Sequence, residues 1–377
     1  MTFESRAFIK SIQILIGSIV GVGVFGLPFV FAQSGFGIGF VYLILIGFSS
    51  FILVLAYGQI VSHNKDHHRL SGCVKEYLGD GWGRVAGVIH FIGNWGAMLA
   101  YIIIGGEFLH AIASPFLNFG VLFYQLLFIV LSAFILIGGL GLVSRIEVFT
   151  VFILLALFAA LIIGSFTHID LDNLLSYDIS MSFLPFGVVL FSFGGLGSIP
   201  EMKDILGRAK HKMSNVIAIG FCIILIIYLL FSATVVGVTG TSTTEEAILG
   251  LGDVVGNWAL IIGSVIGLFA VFTCFINLGV QIMDTAIYDY KARYLSAWAI
   301  AVLVPFLLFI FGARDFISVI GFTGGVFGVI IGLLVIAMYK KAKRTLPKRT
   351  LGIPNLLLNF IVLILVIGMI TTILDII

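Results

Sequence analysis

The sequence predicts an all-α integral membrane protein of about eleven transmembrane helices. Three observations carry that reading. The chain of 377 residues is 60% hydrophobic and 10% charged, where soluble domains have roughly 45–50% and roughly 25%, so it lacks the polar surface to cover a water-facing body. Apolar stretches of about 20 residues, enough helix to cross about 30 Å of hydrocarbon, recur along the whole chain. They are continuous rather than alternating, which argues against a membrane β-barrel. No polar block long enough for a separate domain interrupts them, so residues 1–377 read as one transmembrane domain.

In chain order the expected spans cover residues 8–33, 37–61, 85–112, 121–140, 148–166, 183–206, 215–238, 259–283, 295–311, 317–338 and 355–374. Arg6 and Lys10 lead into the first. That run exceeds a signal-peptide core and lacks a small-x-small cleavage site, so it reads as a retained span. Lys65, Arg69, Lys75 and Arg84 flank the connection after the second span, Arg145 follows the fourth, and Lys203, Arg208, Lys210 and Lys212 follow the sixth. Lys291 and Arg293 come after the eighth, and Lys340, Lys341, Lys343, Arg344, Lys348 and Arg349 after the tenth. With spans alternating in direction, 19 of the 20 basic residues share one side and only Arg314 lies opposite. Basic residues stay cytoplasmic because translocating them is costly. The N-terminus is therefore expected in the cytoplasm and, after an odd number of crossings, the C-terminus outside. Asp170, Asp172, Asp178, Glu245, Glu246 and Asp253 occupy the opposite connections. The net charge of +2 is thus segregated by side and implies no nucleic-acid partner. Cys73, Cys222 and Cys274 are too few and scattered for a disulfide framework or a metal cluster.

Two spans carry their own interruptions. The first reads Gly17, Ser18, Ile19, Val20, Gly21, Val22, Gly23, Val24, Phe25, Gly26, Leu27, Pro28, and the sixth reads Phe191, Ser192, Phe193, Gly194, Gly195, Leu196, Gly197, Ser198, Ile199, Pro200, Glu201. Glycine weakens a helix and proline removes a donor. The backbone groups so freed are tolerated in a membrane only where they line a cavity or are buried in protein. Half-helix amides attract a carboxylate, and free carbonyls attract a cation or an ammonium group. The breaks are five spans apart, so the two spans run in opposite directions. Residues 8–166 and 183–338 are expected to form two inverted five-helix repeats, with 355–374 as an extra helix. Paired interruptions of this kind point to a transporter binding site. Gly324, Gly328 and Gly332 in span ten, four apart and without proline, read instead as a packing seam. Gly21, Gly23 and Gly26 match the dinucleotide pattern G-x-G-x-x-G, but no strand precedes them.

At these residues the sequence resembles the amino-acid permeases, within the amino-acid/polyamine/organocation superfamily: the amino acid/auxin permease group and its bacterial hydroxy- and aromatic-amino-acid branch. The resemblance is carried by GSIVGVGVFGLP from Gly17 to Pro28, FSFGGLGSIPE from Phe191 to Glu201 and TCFINLGVQIMD from Thr273 to Asp284, and it extends over nearly the whole chain. It implies the leucine-transporter architecture, a five-plus-five inverted repeat with an eleventh peripheral helix, working by alternating access on an amino-acid substrate. In sodium-coupled relatives paired hydroxyls on span eight complete a cation site; the matching pair here is Thr273 with Cys274. A thiol is a poor ligand for a hard cation. The expected function is therefore a symporter of large neutral or aromatic amino acids driven by H+ rather than Na+, with no cofactor and no bound metal.

The substrate carboxylate would meet the amides around Gly21, Val22 and Gly23, beside Ser18, and the ammonium group the carbonyls from Phe191 to Gly194. Phe191 and Phe193 would supply an aromatic gate and Ser192 a hydroxyl. His90, Asn94, Ala97 and Tyr101 recur at helical spacing along span three and make one polar stripe, with Tyr101 expected at the cavity. Glu107 points away from that stripe. An intramembrane carboxylate is a functional candidate by default, so Glu107 is a coupling candidate, and His110, three residues on, would share or relay its proton. Structural pairing near the helix end is the plainer role for both. Glu201, after Pro200, would cap free amides or take part in coupling, and Thr273 is the remaining coupling candidate. Asp284 and Asp289, beside Lys291 and Arg293, read as ion-pair partners at the cytoplasmic surface.

Sodium coupling in the same fold is the nearest alternative, and a channel, a facilitator or a non-transporting amino-acid sensor are readings from other classes. No nucleophile-and-base constellation points to an enzyme. The expected partners are the substrate and the lipid bilayer; the sequence names no protein partner.

Overall fold

In the computed structural model, which describes residues 3–64, 69–138, 143–344 and 352–375, the chain is a bundle of helices with no strand among the described residues. The first expected span is two helices, α1 (Phe3–Ile19) and α2 (Gly23–Ser34), bent by 53°. Next come α3 (Phe36–His63), α4 (Leu70–Leu78), α5 (Asp80–Ala113), α6 (Val121–Ile137) and α7 (Val143–Ser165). The sixth span is likewise divided, into α8 (Pro185–Ser192) and α9 (Ile199–Leu206). Then follow α10 (Met213–Thr239), α11 (Ile248–Val255), α12 (Asn257–Asp284), α13 (Tyr294–Ile310), α14 (Phe316–Phe322), α15 (Val329–Ala342) and α16 (Asn355–Leu374). Among the described residues six helical units are long and apolar enough to cross a membrane, or seven if the bent α1–α2 pair counts as one, and three apolar helices are shorter.

The breaks fall where the sequence concentrates glycine and proline. Pro185 and Pro200 sit in the first turns of α8 and α9, where a missing N–H leaves no helical bond unmade. Pro28 lies inside α2 without ending it. At the α2–α3 corner Gly35 adopts φ +99°, and a Cβ there would stand 2.7 Å from the Ser176 carbonyl oxygen, so the corner and the loop beneath it both require glycine.

Two helices, α4 and α11, were not foreseen as elements. Both are short and amphipathic, and they lie along the bundle ends, where periodicity over nine or eight residues is weak. Span ten also departs from expectation: a π turn, Thr323–Gly328, joins α14 to α15, so Gly324, Gly328 and Gly332 do not form one continuous seam. Gly324 meets the α8 backbone at Gly187 and Phe191, Gly328 faces Leu190, and Gly332 faces Leu53 of α3 and Leu365 of α16.

One end of the bundle gathers the basic residues. There Lys212 binds Glu4 at 2.7 Å, Arg69 binds Asp284 at 3.3 Å, and Lys203 donates to the Asn64 carbonyl at 2.9 Å. These contacts tie the start of α1 to the turn before α10, the start of α4 to the end of α12, and α9 to the end of α3. Asp284 was expected to pair with Lys291 or Arg293, but α4 brings Arg69 to it instead. Lys65, Lys348, Arg349, the last residues of the fourth expected span and the side chains of Arg145 and Asp289 lie outside the described residues. At mid-height, outward-facing side chains such as Val130, Phe134, Leu303 and Leu363 are exposed, as suits a body whose solvent is lipid.

Candidate functional site

A cavity of about 210 Å³ lies where the two broken helices face each other. From the α1–α2 break it takes Ser18, Ile19, Gly21 and Gly23, and from the α8–α9 break Phe191 through Gly197 and Pro200. The polar stripe of α5 forms a third wall, with His90, Asn94, Ala97 and Tyr101 all on the lining. The Asn94 amide lies 3.2 Å from His90 Nε2. Thr323, Gly324 and Phe327 of the π turn close the fourth side.

The walls come together because glycines let backbones approach. A Cβ on Gly23 would stand 2.5 Å from Ser192 Oγ and 2.8 Å from Ser192 Cα, so the two breaks touch at this pair. A Cβ on Gly21 would meet Tyr101 Oη at 2.8 Å and Cys274 Sγ at 3.2 Å, so α5 and α12 converge on the first break. The first amides of α2 and the last carbonyls of α1 and α8 lie where the helical bonding pattern stops, and turn amides of Gly21, Phe193 and Gly194 serve the Ile19, Val189 and Phe191 carbonyls. The cavity is thus rimmed by backbone poles of both signs.

From the breaks the cavity runs towards the basic end, past Tyr57, Gln281 and Thr285, to Arg69 and Leu70. In the other direction it is sealed. Phe25 of α2 packs on Phe108 of α5, Phe158 of α7 and Phe231 of α10, with ring centroids 5.1, 6.2 and 6.1 Å away, and Phe158 lies 5.0 Å from Phe231. All four rings are fully buried, and such edge-to-face and stacked pairs add stability beyond their buried area.

Of the expected substrate residues, the structure brings Ser18, Gly21, Gly23, Tyr101, Phe191, Ser192, Phe193 and Gly194 to the cavity. Val22 is not among the lining residues, and its side chain is fully buried in the core. The Ser192 hydroxyl donates back to Val188 O at 2.8 Å, so its proton is already used within α8. Phe193 lines the cavity with one edge while its ring stacks on Phe221 at 5.9 Å.

The expected coupling residues lie apart from the cavity lining. Glu107 is partly buried on α5, and the charges facing it are those of Glu246 and Glu245. His110 does not join Glu107; its ring packs edge-on against Tyr124 at 5.4 Å. Glu201 occupies the first turn of α9 and is exposed. Thr273 donates to Phe269 O and Ala270 O of its own helix, each at 3.0 Å, so it does not form a pair with Cys274. Of the two, Cys274 reaches the first break, its Sγ 3.4 Å from Gly17 O. No group of three or more His, Cys, Asp or Glu among the described residues is placed to hold a metal ion.

Three kinds of residue were missed by sequence reading. Arg69, Gln281 and Thr285 line the cavity's basic-end mouth; in sequence Arg69 reads only as a basic flank and Gln281 only as part of the third motif. Tyr228 of α10 reaches both breaks from behind the cavity, donating towards Ile19 O at 3.0 Å and Ser192 O at 2.7 Å. Glu246 is only 6% exposed, although it belongs to a connection that reads as a solvated acidic loop. The turn that buries it places Ala247 at φ 64°, which costs a non-glycine residue backbone strain. Burial raises the Glu246 carboxyl above the ordinary carboxylate range, and bonds from its own N–H and from Thr244 only partly offset this.

Comparisons with known proteins agree with this geometry. The fold matches a crystal structure of MhsT in complex with L-phenylalanine, with a TM-score of 0.69 at 16% identity over 97% of this chain and 98% of the other. It also matches the inward-facing conformation of Mhp1, with a TM-score of 0.67 at 12% identity over 89% and 76%. Both have the leucine-transporter fold. By sequence the chain is 24% identical to the tyrosine-specific transport system 1 of Haemophilus influenzae, over 97% of this chain and 95% of the relative. It is 22% identical to glutamine transporter 2 of Aliivibrio fischeri, over 87% of each. The model of the tryptophan/tyrosine permease family matches residues 4–374. A cavity built on two broken helices, in a chain matched end to end, makes this multi-pass membrane protein a member of the tryptophan/tyrosine permease family, and so a transporter rather than an enzyme.

Proposed function

We propose that the chain is a secondary active symporter that carries a large neutral or aromatic amino acid together with a proton. The observation that carries this reading is the cavity at the two breaks, where backbone poles for a carboxylate and an ammonium group sit beside apolar and aromatic walls. Phe191, Phe193, Phe327, Tyr101, Leu53 and Val54 make room for an apolar ring and offer no buried charge to a basic or acidic side chain. The relative named for tyrosine transport supports an aromatic substrate, and the one named for glutamine keeps neutral polar substrates in the panel. Placement in the amino acid/auxin permease group, and two inverted five-helix repeats over residues 8–166 and 183–338 with 355–374 outside them, belong to the same reading.

The basic end faces the cytoplasm in this account, with the N-terminus inside, eleven crossings and the C-terminus outside. The cavity's run towards Arg69 then makes this an inward-directed arrangement, and the Phe25 cluster is the closed outer seal. Proton coupling rests on Glu107, a carboxyl partly buried within a span, where holding a charge is costly.

The test is uptake into liposomes under imposed gradients. A proton gradient should drive accumulation of labelled L-tryptophan or L-tyrosine, and a sodium gradient alone should not. Glu107→Gln should lose accumulation and keep exchange. Accumulation driven only by sodium, or unchanged in Glu107→Gln, would overturn the coupling assignment. Competition by arginine or glutamate as strong as that by phenylalanine would overturn the substrate class.

A further inference from the structure

The last carbonyls of a helix find no donor within it and carry the negative end of its dipole. Here two such ends converge inside the protein. α1 stops at Ile19 and α8 at Ser192, and the Tyr228 hydroxyl lies 3.0 Å from Ile19 O and 2.7 Å from Ser192 O. Tyr228 is fully buried, and Ile19 O also accepts from Gly21 N at 2.9 Å. A third break carbonyl, Gly17 O, faces Cys274 Sγ at 3.4 Å.

Half-helix carbonyls of this kind are where sodium-driven carriers of the same architecture hold their ion. The residues here do not fit one. A hard cation needs several oxygen ligands around a shared centre, and between Ile19 and Ser192 that centre holds a phenol oxygen. The group facing Gly17 is a soft thiol, and the neighbouring Thr273 hydroxyl is turned back onto its own helix.

We infer that Tyr228 holds the two broken helices in their binding arrangement, its hydroxyl proton taking the place of a coupling cation, with Cys274 as a second, weaker donor. A neutral O–H satisfies both carbonyls without bringing a charge into a place fully removed from water. It also ties the halves together: one proton serves one carbonyl on each broken helix, so shifting either half strains the bond to the other. The Tyr228 ring lies 5.2 Å from the ring of Phe193, which lines the cavity, so the strut abuts the substrate's own wall. Tyr228 is thus a positioning residue, acting on the substrate through Ile19, Ser192 and Phe193. The inference rests on the amino-acid carrier reading and deepens it.

The experiment measures binding of labelled L-tryptophan and L-tyrosine to the purified full chain, in sodium chloride and in choline chloride of equal ionic strength at one pH. Wild type should bind at least one of the two equally well in both salts. Tyr228→Phe keeps the ring and removes only the donor. It should weaken binding about 5- to 100-fold in both salts, the consequence of taking the donor from buried Ser192 O and leaving Ile19 O with Gly21 N–H alone. Tyr228→Asn opens the centre and adds an amide oxygen. Its binding should become sodium-dependent, at least tenfold tighter in sodium than in choline, a response that loss of a merely structural ring would not produce. Wild-type affinity that rises with sodium, a wild-type-like Tyr228→Phe, or a folded Tyr228→Asn indifferent to the salt would each overturn the inference. If Tyr228→Asn does not fold, Tyr228→Phe decides alone. If wild type binds neither amino acid in either salt, the carrier reading fails first and the inference with it.

Discussion

The contact between Gly23 and Ser192 sets how closely the two broken helices approach, and Gly23→Ala probes it with a single methyl group. The added Cβ would lie 2.8 Å from Ser192 Cα and 3.0 Å from its Cβ, where ordinary contacts begin at 3.4 Å. Backbone does not rotate aside, so α2 and α8 must separate by about 0.6 Å, while Ser192 Oγ is held by its bond to Val188 O. Overpacking of this kind costs about 1–3 kcal/mol, which is about 5- to 150-fold in affinity if it falls on the binding arrangement. Gly21→Ala is the internal comparison. Its Cβ meets only side-chain ends, Tyr101 Oη and Cys274 Sγ, which can swing away, so its loss should stay below about tenfold, or 1.4 kcal/mol. The assay is competition binding of labelled aromatic amino acid to purified variants that elute as single species. A Gly23→Ala protein with wild-type affinity, or a Gly21→Ala protein impaired more than it, would refute the claim that the breaks meet at Gly23 and Ser192 to form the site.

Other predictions concern charge. Glu246 has a folded-state pKa above the ordinary value of 4.5 because it is buried, so the folded protein binds its proton more tightly than the unfolded chain does. The stability it lends is therefore present at low pH and declines as pH rises through that interval. Glu246→Gln, which fixes the neutral form, should raise Tm over wild type at about pH 8 and give no gain at about pH 4.5; a gain that is the same at both would contradict the burial argument. Arg69→Gln removes the 3.3 Å pair with Asp284 at the cavity mouth. Because the Arg69 side chain is 39% exposed, the pair is worth about 0–1 kcal/mol. Tm should barely move, while exchange should speed up by at most about fivefold if the pair restrains the mouth; slower exchange would contradict that restraint.

Much of the fold was legible because the bilayer imposes strong patterns. In lipid, twenty-residue apolar runs mean crossings, and clusters of glycine with proline inside them mean interruptions, so Gly17 to Pro28 and Gly194 to Pro200 marked both breaks. The α5 stripe from His90 to Tyr101 was legible for the same reason, since four polar or small residues at helical spacing stand out against an apolar chain. What the sequence hid depends on distant pairing. Tyr228 is one of 11 tyrosines, and its two acceptor carbonyls lie 209 and 36 residues away. Thr273 and Cys274 are neighbours with opposite fates: the hydroxyl bonds back onto its own helix, while the thiol, pointing from an adjacent face, reaches Gly17 O. His110 shares a helical face with Glu107, yet the ring it meets comes from α6. Glu246 is buried beside a residue at positive φ, a turn that no composition or periodicity announces.

The central claim is that the cavity between the two breaks is the transport site of a saturable carrier. The most direct measurement is counterflow: liposomes containing the purified protein are preloaded with an amino-acid mixture, and entry of external labelled tryptophan is followed with no ion gradient. The account predicts a transient accumulation above equilibrium, abolished in a folded Gly23→Leu protein and unaffected by replacing sodium with choline. Entry of no label for tryptophan or for any amino acid of a wider panel, or entry that neither saturates nor exchanges, would contradict it.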